Sequence, residues 1–345
     1  MQGSSGKNSS EQNPSGQDVG GHDLGPVRVG VIGVGGMGAF HARTLAGFAG
    51  VDVVAVADPN AANAAEVAHD IGCIALTDPL QLATSPEVDG VVIASPDATH
   101  PDLCIAAIER GTRVLCEKPL ATTLSDAQRV LDAEAACGSR VIQLGFMREY
   151  DPAHVQLRNE LGRIGPIDYI RTVHRNVNAS PRPVSQIIGQ SLVHDIHSVR
   201  FLSGSEFTQV VAHGGAAREG SFRHIIVVGE LSCGAHVAME FDDGGFAYEV
   251  SVEVLGRNGD VLTAPPSRAV VRRDGAVSAH IGADWFGWFA TAYAVQDRAW
   301  VESIRSDAAV GPTARDGYIA QAVVQAILTS LDTGRFVDVP RLDRR

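Results

Sequence analysis

Nowhere does the 345-residue chain carry a run of about 18 apolar residues, so no segment is expected to cross a membrane as a helix. The opening MQGSSGKNSSEQNPSGQDVGGHDLGP also lacks the apolar stretch of a signal peptide. Rich in Gly, Ser, Asn and Gln, it has almost nothing to bury against its ordering entropy, and residues 1–26 are expected to form a disordered tail. Basic clusters are missing too. There are 28 Lys+Arg against 40 Asp+Glu, a net charge of −12, and no block suited to grip a phosphate backbone, which argues against a nucleic-acid partner. Cys73, Cys104, Cys116, Cys137 and Cys233 are odd in number and show no Cys-x-x-Cys spacing. They read as reduced thiols, mostly in buried strand or helix, of a cytoplasmic protein. No internal repeat is visible.

What is present is an ordinary globular composition, 45% hydrophobic and 20% charged, in a chain long enough for about two domains. From Val27 short apolar runs (VRVGVIG, VDVVAVAD, GVVIAS, RVLCEKP, RVIQLGF) alternate with amphipathic stretches. Continuous apolar runs mark strands buried on both faces, which predicts a doubly wound parallel sheet flanked by helices, an α/β domain over residues 27–144. Past Gly145, segments such as RHIIVVGEL, AHVAMEF, FAYEVSVEVLG and RAVVRR alternate or pair through the turns SCG, DDGG and RNGD. A second α/β domain over 145–345, with a mainly antiparallel open sheet, is therefore expected. Its helices are placed at Pro152–Leu161, Ser191–Leu202, Trp288–Ser306 and Ala314–Leu331.

Gly33, Gly35 and Gly38 form Gly-x-Gly-x-x-Gly between the first strand and the first helix. The first glycine permits a tight turn, the second lets a pyrophosphate reach the backbone, and the third lets helix pack on strand. A turn with no ligand would look the same. Asp58, however, closes the next strand, where a carboxylate would accept hydrogen bonds from the ribose hydroxyls of a dinucleotide. Pro59, Asn60, Ala61 and Ala62 follow it, with no cation to receive a 2′-phosphate, so NAD is expected over NADP. At the end of a later buried strand stands Cys116-Glu117-Lys118-Pro119, on the sheet edge where ligands bind in such folds. A solvated lysine at a strand end is the plain alternative, but the following proline restricts the backbone and admits a cis peptide that would aim the ammonium inward.

Together GVGGMGAFHARTL, SPDATH, GTRVLCEKPLA and QLGFMREYDPAH resemble the glucose-fructose oxidoreductase and inositol dehydrogenase (Gfo/Idh/MocA) family, and within it the inositol 2-dehydrogenases. VHRN, SLVHDIHSVRFL and the stretch from Gly311 to Val339 extend the likeness to nearly the whole chain. The resemblance implies an NAD-dependent oxidoreductase that takes hydride from a secondary hydroxyl of a cyclitol or sugar, with substrate between the domains and the open sheet pairing copies into a homodimer or homotetramer. It assigns contact with the reacting hydroxyl to Lys118 and the general base to His194, for which a packed structural histidine is the alternative. Candidate cofactor contacts are Gly33, Gly35, Gly36, Met37, Gly38, Asp58, Ser95, Pro96, His100, Glu117 and Lys118. Candidate substrate contacts are Met147, Arg148, His174, Asn176, Gln190, Ser191, His197 and Tyr248.

Two positions depart from the family. Four residues before the histidine and three after it, where aspartate is common, stand Gln190 and His197. Gln190 would orient His194 through a neutral hydrogen bond and leave it a lower pKa than an aspartate would. His197 is expected to hydrogen-bond a substrate hydroxyl. His174, His194 and His197 have neither an obvious carboxylate nor His-x-x-x-His spacing, so no metal site is assigned. Trp285 and Trp288 read as core or subunit-interface packing. Three other functions stay open: a pyranose dehydrogenase, an enzyme that recycles bound NAD during epimerisation or glycoside cleavage, and a non-catalytic NAD-binding sensor.

Overall fold

The computed structural model describes residues 25–177, 182–216, 222–263, 270–273, 276–279 and 284–342. Apart from Gly25 and Pro26, the expected tail lies outside them. The first sheet has six parallel strands, β1 (Val27–Ile32), β2 (Val51–Ala57), β3 (Ile74–Leu76), β4 (Gly90–Ile93), β5 (Arg113–Cys116) and β6 (Ile142–Leu144), in the order β3-β2-β1-β4-β5-β6. The order reverses between β1 and β4, and a crevice opens there at the carboxyl ends of the strands. Helices α1 (Gly36–Ala46), α2 (Ala61–Ile71), α3 (Pro79–Ala83), α4 (His100–Arg110) and α5 (Leu124–Cys137) connect them. Neither β3 nor α3 was foreseen. At three and five residues they are too short for a periodic signal, and Ile74 on the edge strand is exposed.

Burial on both faces explains the unbroken apolar runs. Val27, Val29 and Val31 pack under α1 and α2, while Ile32 joins the opposite core with residues of α3, α4 and α5. Asn60, Asp78 and Thr123 cap α2, α3 and α5 through their side chains; α1 starts at Gly35 with no side-chain cap.

Past β6 come α6 (Pro152–Glu160), β7 (Ile167–Val177), α7 (Val184–Ile187), a π-helical turn (Ile188–Leu192) and α8 (Val193–Ser203). Then follow β8 (Phe207–Ala216), β9 (Phe222–Leu231), β10 (His236–Asp242), β11 (Gly244–Gly256), β12 (Gly259–Leu262), β13 (Val270–Arg273) and β14 (Ala276–Ala279). The chain closes with α9 (Trp285–Arg305), α10 (Ala314–Thr333) and β15 (Val337–Asp338). The second sheet is ordered β12-β11-β7-β10-β9-β8-β15, and all its pairs are antiparallel except β7 with β10. The helix predicted from Ser191 begins seven residues earlier, because the π turn links α7 to α8 instead of interrupting them.

The last two helices hold the sheets together. α9 returns to the first sheet, where Trp300 and Val301 join the core beneath β1. α10 lies on β8 through the Ser330 hydroxyl, which donates to Arg335 O and accepts from Ala212 N, and reaches the first unit through Gln321 Nε2, 2.9 Å from Thr122 O. All five cysteines are free; Cys104 and Cys116 are buried and Cys73 half-buried, but Cys137 at the end of α5 and Cys233 in the β9–β10 turn face solvent. Among the described residues no helix is long and apolar enough to cross a membrane.

Candidate active site

Two hollows adjoin at the end of β4, sharing Ala94 and Ser95. The larger, about 880 Å³, is lined by Gly33, Gly35, Asp58, Pro59, Asn60, Ser95, Pro96 and Thr99, with Asp78 and Asp102 farther along and no Lys or Arg among its lining residues. Gly33 takes φ +79°, and a β-carbon there would stand 2.4 Å from the Ser95 Cα. Gly38 is closed off more tightly still, since its β-carbon would lie 1.7 Å from the Gly33 carbonyl oxygen. Gly35 and Gly36, by contrast, face open space, and the uncapped first turn of α1 contains no acidic residue. An open glycine face at a helix N-terminus suits a pyrophosphate. Asp58 closes the turn: Oδ2 accepts from Val34 N at 3.0 Å and Oδ1 from Asn60 N at 2.8 Å. The remaining lone pairs of that carboxylate fit ribose hydroxyls, and the absence of a cation from the lining fits NAD better than NADP.

The smaller hollow, about 280 Å³, lies between the two sheets. It brings together Met37, Glu117 and Lys118 from the first unit with Met147, Arg148, His174, Asn176, Gln190, Ser191, His194 and Tyr248 from the second. The peptide between Lys118 and Pro119 is cis, and Lys118 Nζ donates to the Gln190 carbonyl at 3.0 Å. Burial pulls the Lys118 ammonium below its usual pKa, against the opposing influence of Glu117 and Asp97. His194 is buried with Nδ1 unpartnered. Its pKa lies well below the ordinary value, first through burial and then through the neighbouring Lys118 and Arg148. A neutral imidazole and an ammonium can therefore share this cleft at neutral pH.

Behind them lies a buried polar frame. Asp195 accepts from Arg148 Nη1 at 2.9 Å, and its second oxygen is 2.7 Å from His174 Nδ1. Burial alone would raise the Asp195 carboxyl, but Arg148 and His174 outweigh it and hold it at about 2. His174 Nε2 is 3.2 Å from Asn176 Oδ1, and Asn176 Nδ2 reaches Ser191 Oγ at 3.3 Å. Farther back, the His41 ring lies between Asp297 Oδ2, 2.9 Å from Nδ1, and Glu117 Oε1, 3.1 Å from Nε2. With a carboxylate at each ring nitrogen His41 is an imidazolium, and although burial opposes the charge, Asp297 and Glu117 push its pKa up to about 10.

Three expectations need correction. His197 does not line the cleft; its Nε2 is 2.8 Å from Glu149 Oε1 and its ring stacks on Phe146 at 3.9 Å, which aims it away from any substrate. The Gln190 side chain does not reach His194, because its amide donates to Asp97 Oδ2 at 2.9 Å. Trp285, read as packing, lines the cleft, while Trp288 packs against Tyr248 with ring centroids 5.4 Å apart. His100 borders the cleft, but its ring spans the Pro119 and Ser95 carbonyls at 2.8 and 2.9 Å and so ties the two loops together. Asp97, Arg182 and Tyr293 also line the cleft and were missed. Asp97 was visible within SPDATH, whereas no local pattern marks Arg182 or Tyr293.

Fold and site together define an oxidoreductase with an NAD-binding Rossmann domain. The chain belongs to the Gfo/Idh/MocA family: residues 27–146 match its model "Oxidoreductase family, NAD-binding Rossmann fold" and 156–339 its "Oxidoreductase family, C-terminal alpha/beta domain". Among its relatives is inositol 2-dehydrogenase 1 of Saccharopolyspora erythraea, 40% identical over 89% of this chain and 95% of that one. Inositol 2-dehydrogenase of Rubrobacter xylanophilus is 36% identical over 87% and 89%. The crystal structure of Lactobacillus casei myo-inositol dehydrogenase in complex with NAD(H) and myo-inositol superposes with a TM-score of 0.89, at 27% identity, covering 93% of this chain and 98% of that one.

Proposed function

We propose that this protein is an NAD-dependent dehydrogenase that oxidises a secondary hydroxyl of a cyclitol, myo-inositol or a related inositol or amino-cyclitol, to a ketone. One observation carries the reading: Lys118 and His194 line a small polar cleft that adjoins the glycine-turn cavity at Ala94 and Ser95. The relatives named inositol 2-dehydrogenase and the Lactobacillus casei complex support the substrate class.

Gly33, Gly35, Gly36 and Asp58 would hold NAD, whose nicotinamide would accept the hydride. Everything else falls to this chain. An alcohol is too weak an acid to lose its proton unaided at neutral pH, and His194, kept neutral by burial and the surrounding cations, takes it. With Nδ1 enclosed, Nε2 is the nitrogen left for that task. The Lys118 ammonium, fixed by the Gln190 carbonyl, carries the developing alkoxide charge where little water competes. His174, Asn176 and Ser191 meet the other ring hydroxyls, and the Asp195 pairs with Arg148 and His174 keep that wall rigid. A cytoplasmic location and a homodimer or homotetramer complete the reading. Support for the second comes from β9, where Ile226 and Val228 leave an apolar sheet face half-exposed.

The test is NADH formation with NAD and with NADP across inositol isomers, amino-cyclitols and aldoses, with Lys118→Ala alongside. Activity on a cyclitol with NAD that vanishes in the variant is expected. Silence across the panel despite NAD binding overturns the proposal.

A further inference from the structure

The charges lining the cleft are mostly spoken for. Arg148 is paired with Asp195, Arg182 with Asp243, and Glu117 with His41. Among the described residues only two lining charges, Lys118 and Asp97, have no ion pair, and Gln190 stands between them. Gln190 sits within the π-helical turn Ile188–Leu192, a geometry that breaks the regular backbone ladder and recurs at functional sites. Its carbonyl accepts from Lys118 Nζ at 3.0 Å, and its side-chain Nε2 donates to Asp97 Oδ2 at 2.9 Å. One neutral residue thus contacts both an ammonium and a carboxylate at the same cleft. The second Asp97 oxygen receives no hydrogen bond from the described residues, and Asp97 lines the hollow.

We propose that Asp97 is a specificity-determining residue, the carboxylate that accepts a hydrogen bond from a ring substituent of the substrate, with Gln190 as the positioning residue that aims it. The inference rests on the cyclitol dehydrogenase reading. It moves the negative charge expected at position 190 across the cleft, from the second unit to the loop after β4. A polyol held between Lys118 at the reacting oxygen and Asp97 at another substituent is selected for a donor at that second position, a hydroxyl or an ammonium.

Asp97→Asn tests this, because asparagine can still accept from Gln190 but presents an amide where the substrate meets a carboxylate. Holoenzyme kinetics with myo-inositol and with an inosamine, together with NAD affinity by calorimetric titration, are expected to give a polyol KM at least tenfold higher. The kcat should stay within about threefold and the NAD Kd within about twofold, and Asp97→Ser should repeat the pattern. A tenfold or greater fall in the preference for inosamine over inositol identifies the donor as an ammonium; an unchanged preference with both KM values raised identifies a hydroxyl. A polyol KM within twofold of wild type in an active enzyme overturns the role of Asp97 alone, as does a loss confined to NAD affinity. A wild type that binds NAD but oxidises no cyclitol overturns this inference together with the reading beneath it.

Discussion

Replacing His41 by leucine, similar in volume but unable to carry charge, would leave Glu117 and Asp297 as neighbouring buried carboxylates with no cation between them. Breaking a buried pair in this way costs roughly 3–5 kcal/mol. The rise of the His41 pKa from 6.5 to about 10 sets a similar ceiling, about 5 kcal/mol at roughly 1.4 kcal/mol per tenfold in proton affinity. The full amount is not realised, because burial holds the Asp297 carboxyl above its ordinary range despite the pull of His41. At about 2 °C per kcal/mol for a chain of this size, the variant should melt on the order of 6–10 °C lower at neutral pH. The pH dependence has a definite sign. A group whose pKa is higher folded than unfolded stabilises fully below the unfolded value and loses that effect as pH rises through the folded one, so the His41 contribution is complete below 6.5 and gone near 10. Below 6.5, where the His41 contribution no longer grows in the wild type, the orphaned carboxylates of the variant can still take up protons, so the gap should narrow between about pH 6.5 and about pH 5. Thermal unfolding of both proteins across that range measures it. A drop of less than about 2 °C, or one of constant size at every pH, would refute the buried-imidazolium account.

Three further outcomes follow from the same geometry. Gly38→Ala forces a β-carbon to within 1.7 Å of the Gly33 carbonyl and should cost stability by about 1–3 kcal/mol as well as NAD affinity, whereas Gly35→Ala, facing open space, should leave the melting temperature in place and weaken NAD alone; titration and melting of both variants separate the cases. With the pKa of His194 well below 6.5 and that of Lys118 below 10.5, the pH profile of kcat/KM should have its acid limb below the first value and its alkaline limb below the second; an acid limb at or above 6.5 would remove His194 as the base. Gln190→Glu, of the same length, would set two carboxylates at the 2.9 Å contact with Asp97, so its kcat/KM should fall at least tenfold and recover in part when Asp97→Asn is added; losses that simply add would refute the coupling.

What could be read without a structure follows the range of the interactions. The first sheet was legible because each of its longer strands is buried on both faces and writes an apolar run, and the cofactor turn because its glycines meet steric demands a few residues apart. Lys118 and His194 were found through local motifs, and both line the cleft. Roles that depend on where a side chain points were less accessible. His197 shares a helix with His194 yet turns to Glu149, and the Gln190 amide turns to Asp97, 93 positions away in sequence. Arg182 and Tyr293 enter from a loop beside α7 and from α9, elements that meet only because α9 folds back onto the first sheet. The departure at position 190 was visible as a missing charge, and the low pKa expected of His194 has the direction the structure gives. What could not be read is where the Gln190 amide goes, to Asp97 in the other unit, on the loop after β4.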